Sequence, residues 1–461
     1  MSGYVGRSEK EREEMLRAIG VGALEDLLQP VPSELRASAG IDLPDALSEL
    51  DVIRRVREIA LENRPGDETS VGKTACFAGA GVYDHFVPAA VRHLMARSEF
   101  STCYTPYQAE VSQGTLQAIF EFQSLMCALT GMDVCNASMY DGATAIAEAA
   151  LLSVNVTNER RILVSTCLHP HYREVLKTYC TPTNIEVVEI PDEEGVTNLG
   201  RLKSALGQGA ACFIHQQPNF FGIVEDTSEI GKLLSLSKAL LISSVDPVSL
   251  ALLQPPSSYG SDVVVGEGQG LGSPMNFGGP LLGFFAARRQ YVRKLPGRIA
   301  GLTSDNRGRR GFVLTLQTRE QHIRRARATS NICTNQALVA LAATIQLALL
   351  GEKGLREVAE QCLSRSHFAA ELLAALGGFS LKYDRPFFKE FLLECPVDAG
   401  ALTAKLLRKG ILAGVPLSRF SGDSNLLLVA VTEKRTRKEI EALVEGARQA
   451  AEELAQGWRE S

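Results

Sequence analysis

Asp141-Gly142-Ala143-Thr144-Ala145 sets small residues just ahead of an apolar helical run at 146–152. A turn of that kind presents backbone N–H groups to a phosphate. Asp246 directly follows an apolar strand pattern at 241–245. A carboxylate in that place pairs with a pyridinium nitrogen and keeps the ring an electron sink. Those are two of the three requirements of a pyridoxal-phosphate (PLP) site in an α/β sheet. The third is a lysine that tethers the cofactor, in the loop after the next strand. That strand is 263–265, and the loop after it reads Gly266-Glu267-Gly268-Gln269-Gly270-Leu271-Gly272-Ser273-Pro274, with no lysine. The nearest one downstream, Lys294 in Tyr291-Val292-Arg293-Lys294, reads as an exposed helix face. Taken singly, a D-G-A-T turn is an ordinary helix start and Asp before Pro an ordinary turn residue. Their order argues for the fold, and the missing lysine argues against a working cofactor site.

A second constellation lies upstream, in Ser101-Thr102-Cys103-Tyr104-Thr105-Pro106-Tyr107-Gln108-Ala109-Glu110-Val111-Ser112-Gln113-Gly114. Two tyrosines, a glutamine and a glutamate crowd into a loop fixed by Pro106. Polar loops on rigid scaffolds often reach into sites; the plainer reading is a buried Tyr-rich loop capping the helix that Gly114 opens. Phe77-Ala78-Gly79-Ala80-Gly81-Val82-Tyr83-Asp84-His85 contains G-x-G, but no strand precedes it and no third glycine is correctly placed. It is therefore no dinucleotide fingerprint, which weakens any reading as a nicotinamide-dependent dehydrogenase. Arg307, Arg309, Arg310, Arg319, Arg324, Arg325 and Arg327 form a basic run. It reads as a solvated or subunit-contacting face, or as a surface for a substrate carboxylate or an acidic carrier protein.

The elements that must position these residues emerge from hydrophobic periodicity. Phe122, Leu125, Met126 and Leu129 share one helical face, and Gly131 ends that helix. Short apolar strands at 161–165, 185–190, 211–215, 240–245, 263–265 and 281–286 alternate with helical segments. Such strands are covered on both faces, so the expected fold class is α/β with an open, mostly parallel sheet. A helical segment over 1–69 precedes this large domain (70–330), and Ser8 with Glu11 forms a capping-box pattern in it. A small α+β domain (331–461) comes last, with a long apolar helix at 337–350, strands at 391–395 and 426–431, and a second capping box at Thr436 and Glu439.

Composition excludes some classes. A chain of 461 residues with 45% hydrophobic residues can bury a large core. Its net charge of −5 and lack of a dominant basic stripe argue against a nucleic-acid partner. The charged start, Met1 to Glu13, does not read as a secretory signal, and no membrane-spanning helix is expected. Ten cysteines without a C-x-x-C pair read as buried free thiols of a cytoplasmic protein. The histidines lack metal-ligand spacing; His169-Pro170-His171 reads as a loop between a strand and a helix, and no metal is expected.

At these residues the chain resembles a known family. Tyr104 to Gly114 resembles the Y-T-P-Y-Q-x-E-x-S-Q-G motif of the glycine cleavage system P-protein, the PLP-dependent decarboxylating glycine dehydrogenase. Asn136-Ala137-Ser138-Met139-Tyr140-Asp141-Gly142-Ala143-Thr144-Ala145, Gly266-Glu267-Gly268-Gln269, Arg298-Ile299-Ala300-Gly301 and the stretch from Thr315 through Asn335 resemble the same family. The resemblance implies a PLP-dependent transferase-like (fold type I) large domain. It also implies the N-terminal-type chain (alpha, subunit 1) of the split bacterial enzyme, which lacks the PLP lysine, in a heterotetramer with a C-terminal-type (beta) subunit that carries it. The implied reaction decarboxylates glycine and passes the aminomethyl group to the lipoyl arm of H-protein. Tyr104, Tyr107, Gln108 and Glu110 are then the residues expected to reach the shared site, with Glu110 orienting a neighbour. Asp141, Gly142, Thr144 and Asp246 are expected to be vestigial. Two rivals stay open: a stand-alone PLP enzyme using Lys294 or another lysine, and a non-catalytic scaffold that stabilises its partner.

Overall fold

The computed structural model describes residues 8–36, 44–63 and 74–457. The chain divides after Asn63 into two units. The first holds α1 (Glu9–Ile19) and α2 (Glu49–Glu62). Ser8 and Glu11 form the expected capping box, with the Glu11 N–H donating to Ser8 Oγ and the Ser8 N–H to Glu11 Oε2. Neither helix buries a residue. The boundary expected after residue 69 lies outside the described residues.

The second unit runs β1 (Ala75–Cys76), α3 (Ala89–Met95), α4 (Gln113–Thr130), β2 (Val134–Cys135), α5 (Gly142–Thr157), β3 (Arg161–Ser165), α6 (Pro170–Cys180), β4 (Glu186–Ile190), a hairpin of β5 (Asp192–Glu193) and β6 (Val196–Thr197), α7 (Leu199–Leu206), β7 (Cys212–Gln217), α8 (Thr227–Ser235), β8 (Leu240–Val245), β9 (Val263–Glu267) and β10 (Gly283–Ala287). The main sheet has seven strands in the order β2-β10-β9-β8-β7-β3-β4. Pairings from β4 through β9 are parallel; β10 is antiparallel to both β9 and β2. This is the mostly parallel α/β sheet expected. Successive residues of β3 feed opposite faces, as strand geometry requires. Ile162 and Val164 pack under α5 with Ile146 and Ala149, whereas Leu163 packs with Phe213, Leu202 of α7 and Ile230 of α8.

After the sheet come a hairpin of β11 (Ile299–Ser304) and β12 (Arg310–Thr315), then α9 (Gln321–Arg324) and α10 (Ala337–Ala374). Gly351 breaks α10 with φ +58°, at the residue expected to end the helix. Contrary to the sequence expectation, α10 carries a stretch long and apolar enough to cross a membrane, of mean hydropathy 1.5. Half of that stretch is buried, and Val339, Ala340, Ala343 and Leu347 sit in the core with Phe122, Val264 and Phe284. It is built as a core helix.

The C-terminal part adds β13 (Ser380–Leu381), β14 (Glu390–Glu394), α11 (Ala399–Arg408), β15 (Ile411–Leu412), β16 (Val415–Pro416), β17 (Leu426–Ala430) and α12 (Arg437–Gly457). Four of its strands form the sheet β13-β14-β17-β16, and Thr436 and Glu439 cap α12 reciprocally. β15 instead pairs in parallel with β1, so the chain just ahead of the large sheet is bonded to the C-terminal part.

Candidate functional site

The two sequence features that evoke a cofactor pocket lie where the parallel strands end, and each is already engaged within the chain. Asp141 caps α5 by accepting the Thr144 N–H at 2.7 Å. Gly142, the first helical residue, donates its N–H to Glu267 Oε2 at 3.1 Å. Glu267 ends β9, two residues beyond the expected strand, and its Oε1 accepts the N–H groups of Gln269 (2.9 Å) and Leu282 (2.7 Å). A carboxylate of the chain therefore sits at the helix start, where a phosphate would be bound. Burial pushes this carboxyl up to about 7, even against three amide donors. The slot is also narrow. A Cβ on Gly142 would lie 2.9 Å from Tyr172 Oη and 3.2 Å from the Glu267 nitrogen.

Asp246 follows β8, as expected from sequence. Its Oδ2 lies 2.7 Å from Nζ of Lys389, which directly precedes β14. The contact is an ion pair rather than an aligned hydrogen bond, since Oδ2 has no hydrogen-bond partner of good geometry. Lys389 is 2% exposed. Its ammonium donates to His85 Nε2 at 2.9 Å and stands 3.7 Å from the centre of the Tyr83 ring. With Nε2 accepting, His85 carries its proton on Nδ1 and donates it to Glu433 Oε2 at 2.7 Å. Burial alone would raise the Glu433 carboxyl, but His85 and the Phe86 N–H outweigh it and hold it down at about 2. Cys362 Sγ is 3.4 Å from the same oxygen. His85, Cys362 and Glu433 are metal-ligand types grouped closely, but Lys389 puts a cation on the far side of the imidazole. The neighbouring Glu390 accepts from the Ala80 N–H (2.7 Å) and Tyr83 Oη (2.8 Å), and burial raises it to about 7.

The loop that should carry a tethering lysine is locked instead. Gln269 is buried there, accepts the Tyr83 N–H at 3.0 Å, and donates to the carbonyls of Tyr83 and Ser273. Lys294 is half-buried in a 3-10 turn, not on an exposed helix face, and binds Asn155 Oδ1 at 2.8 Å. Asn155 lies near the end of α5 opposite the pocket, roughly 20 Å along the helix axis. His169 stacks on Tyr172 at 4.6 Å between ring centres and hydrogen-bonds the Ala80 carbonyl oxygen, and burial lowers it to about 4. These residues do not fit PLP. A carboxylate holds the phosphate position, an ammonium already neutralises Asp246, and no lysine is in reach on the expected loop.

The Tyr104–Glu110 loop makes none of these contacts and is open rather than buried. Tyr104 is 79% and Tyr107 52% exposed. Tyr107 Oη accepts from Arg298 Nη2 at 3.3 Å, and its ring meets His322 edge-on. Among the described residues, Gln108 and Glu110 make no side-chain hydrogen bond, so Glu110 orients none of its neighbours in the isolated chain. The basic run divides. Arg307, Arg309 and Arg310 are exposed around the β11–β12 hairpin and Arg324, Arg325 and Arg327 after it, while Arg319 is buried. Cys103 and Cys333 are exposed and Cys127 half-buried; the other cysteines are buried, and all are free thiols.

Sequence reasoning missed Glu267, Lys389, His85 and Glu433. A signal existed for one of them. Lys389-Glu390 interrupts the aromatic run Phe387-Phe388-Lys389-Glu390-Phe391, and a charged pair inside such a run must be buried with partners.

The family model of the glycine cleavage system P-protein matches residues 2–446. The chain is 50% identical over 443 residues to the probable glycine dehydrogenase (decarboxylating) subunit 1 of Carboxydothermus hydrogenoformans, covering 96% of this chain and 98% of the relative. It is 51% identical to the protein of that name from Moorella thermoacetica, covering 96% and 99%. A crystal structure of glycine decarboxylase (P-protein) of the glycine cleavage system, in inhibitor-bound form, superposes with a TM-score of 0.87 at 43% identity over 97% of this chain and 99% of that one. A sphingosine-1-phosphate lyase from Burkholderia pseudomallei (TM-score 0.65, 12% identity, covering 93% and 97%) shares the fold alone.

Proposed function

The chain belongs to the glycine cleavage system P-protein family, and from that premise we propose that it is the subunit of a split glycine dehydrogenase (decarboxylating) that holds no PLP of its own. The observation that carries this reading is the filled pocket: Glu267 at the start of α5, Lys389 against Asp246, and Gln269 in place of a usable lysine. PLP, held by the partner chain, supplies the electron sink for loss of CO2 from glycine. This chain's residues bind and orient. Tyr104, Tyr107 and Gln108 hydrogen-bond substrate or exclude water at the shared site, and Tyr107 is held in place by Arg298. The partner is the PLP-bearing subunit, in a heterotetramer, and the acceptor is the lipoyl arm of H-protein. The setting is the cytoplasm, in keeping with ten free thiols.

Two measurements test this. The purified chain is given excess PLP, reduced with borohydride and searched by mass spectrometry for a pyridoxyl-lysine; none at a defined site is expected. Release of labelled CO2 from carboxyl-labelled glycine is then measured for this chain, its partner and the mixture, with lipoylated carrier present. Activity is expected in the mixture alone. A stoichiometric pyridoxyl-lysine on this chain overturns the reading in favour of a stand-alone enzyme, and full turnover by the partner alone reduces the chain to a scaffold.

A further inference from the structure

Behind the Tyr104–Glu110 loop, buried charge exceeds what the described residues satisfy. Arg298 is 4% exposed; its Nη2 donates to the Cys333 carbonyl oxygen at 2.6 Å and to Tyr107 Oη at 3.3 Å. Among the described residues its Nε has no hydrogen-bond partner, and Glu320 Oε2 is 3.9 Å away. Arg319, 6% exposed, donates Nη1 to the Leu295 carbonyl oxygen and leaves Nε and Nη2 without partners. Glu320 Oε1 and Thr105 Oγ1 are unpartnered too. Two buried guanidinium groups lie near one buried carboxylate, Glu320, which also has His322 Nδ1 at 3.7 Å, so positive charge is in excess here. Buried polar groups in folded proteins are otherwise nearly all paired.

Arg298 also lines a cavity of about 540 Å³, walled by Phe100, Tyr104, Pro106, Ile119 and Asn335. A guanidinium offers donors only, in a fork matched to two oxygens of one anion. The cavity is large enough for an amino-acid-sized molecule, and Arg298 is the only charged side chain among its lining residues. We propose that this cavity is a receptor for a small oxyanion, the carboxylate of an amino-acid-sized molecule or a phosphate group, seated against Arg298 under the Tyr104–Glu110 loop. The inference rests on the proposed function and deepens it, because the loop over the cavity is the one assigned to the shared site.

The test uses the full chain without its partner, titrated calorimetrically with acetate, glycine and inorganic phosphate at constant ionic strength. Saturable binding at one site per chain is expected, weakened about tenfold or more by Arg298→Gln. Thr102→Trp, at an exposed lining position, fills the cavity while keeping the Arg298 guanidinium and decides the matter should Arg298→Gln fail to fold. Binding of acetate and glycine but not phosphate assigns a carboxylate site, and the reverse assigns a phosphate site. No saturable binding of any of the three, or binding that survives Thr102→Trp unchanged, overturns the proposal. The assay is independent of the partner. A chain that binds the anion yet fails to activate its partner keeps this inference and sinks the proposed function.

Discussion

Lys389 Nζ stands 2.7 Å from Asp246 Oδ2, so the carboxylate that a cofactor ring would need is neutralised by a lysine from the C-terminal part of the chain. Both side chains are largely buried, at 3% and 14% exposure. Removing one member of such a pair leaves a charge in a low-dielectric site and typically costs about 3–5 kcal/mol. Lys389→Met should therefore lower the urea midpoint sharply, and Lys389→Met with Asp246→Asn should recover much of the loss. A single mutant as stable as the parent would show that the pair holds nothing together.

Stability should fall as pH rises through neutrality. Glu148, Glu267 and Glu390 are raised from 4.5 to about 7, in each case chiefly by burial. Between those values the folded chain binds more protons than the unfolded one, so unfolding free energy decreases with pH. The loss approaches ~3 kcal/mol per group at ~1.4 kcal/mol per unit. His169 and His215, lowered to about 4, and Glu433, held down at about 2, lose stability on the acid side instead. The range from about pH 6.5 to about pH 8 thus isolates the raised glutamates. Glu148→Gln should flatten the slope there, measured as denaturation midpoint against pH; an unchanged slope would mean that Glu148 is ionised when folded.

The parallel core was legible because strands covered on both faces must be apolar throughout, and β3, β7, β8 and β9 lie where their apolar runs lie. Asp141 and Asp246 were legible because each follows or opens such a run. The antiparallel direction of β10 was not, since a strand buried on both faces carries no mark of direction. Nor was the filling of the pocket. Glu267 is local, but its role depends on the approach of α5, and Lys389 arrives from the C-terminal part of the chain. The bond between β1 and β15 was hidden for the same reason: two-residue strands have no periodicity to read.

The tight start of α5 gives a steric prediction. A methyl group at Gly142 meets Tyr172 Oη at 2.9 Å and the Glu267 nitrogen at 3.2 Å. Overpacking of this kind costs typically about 1–3 kcal/mol. Gly142→Ala should be destabilising by that amount, and Tyr172→Phe, which removes the hydroxyl, should relieve part of it. A double-mutant cycle measures the coupling, and additive effects would place the strain at the Glu267 backbone rather than at Tyr172.

Glu267 fills the anion position at the start of α5 with its own carboxyl group, so its removal should create a place for an external anion. In Glu267→Ala the Gly142 N–H loses its acceptor while α5 keeps its positive end. Phosphate at ten times its dissociation constant would stabilise the variant by about 1.4 kcal/mol through mass action. The parent chain should gain less at this position. Thermal midpoints of both chains across a phosphate series compare the two; equal gains would show that the slot stays closed without Glu267.

The exposed loop yields the functional prediction. Tyr107 is half-exposed and loses only a 3.3 Å contact with Arg298 on conversion to Phe, so the chain's own stability should change by about 1 kcal/mol or less. Gln108 is exposed and its side chain makes no hydrogen bond among the described residues, so Gln108→Ala should be close to neutral for folding. A loop that acts only within the isolated chain would leave turnover of the assembled enzyme unchanged in both variants. A loop that meets substrate should lose about tenfold or more in kcat/KM, equivalent to about 1.4 kcal/mol of transition-state stabilisation, with thermal midpoints nearly unmoved. Measuring both quantities on the same preparations separates the two cases, and parent-like turnover in both variants would take the loop out of the shared site.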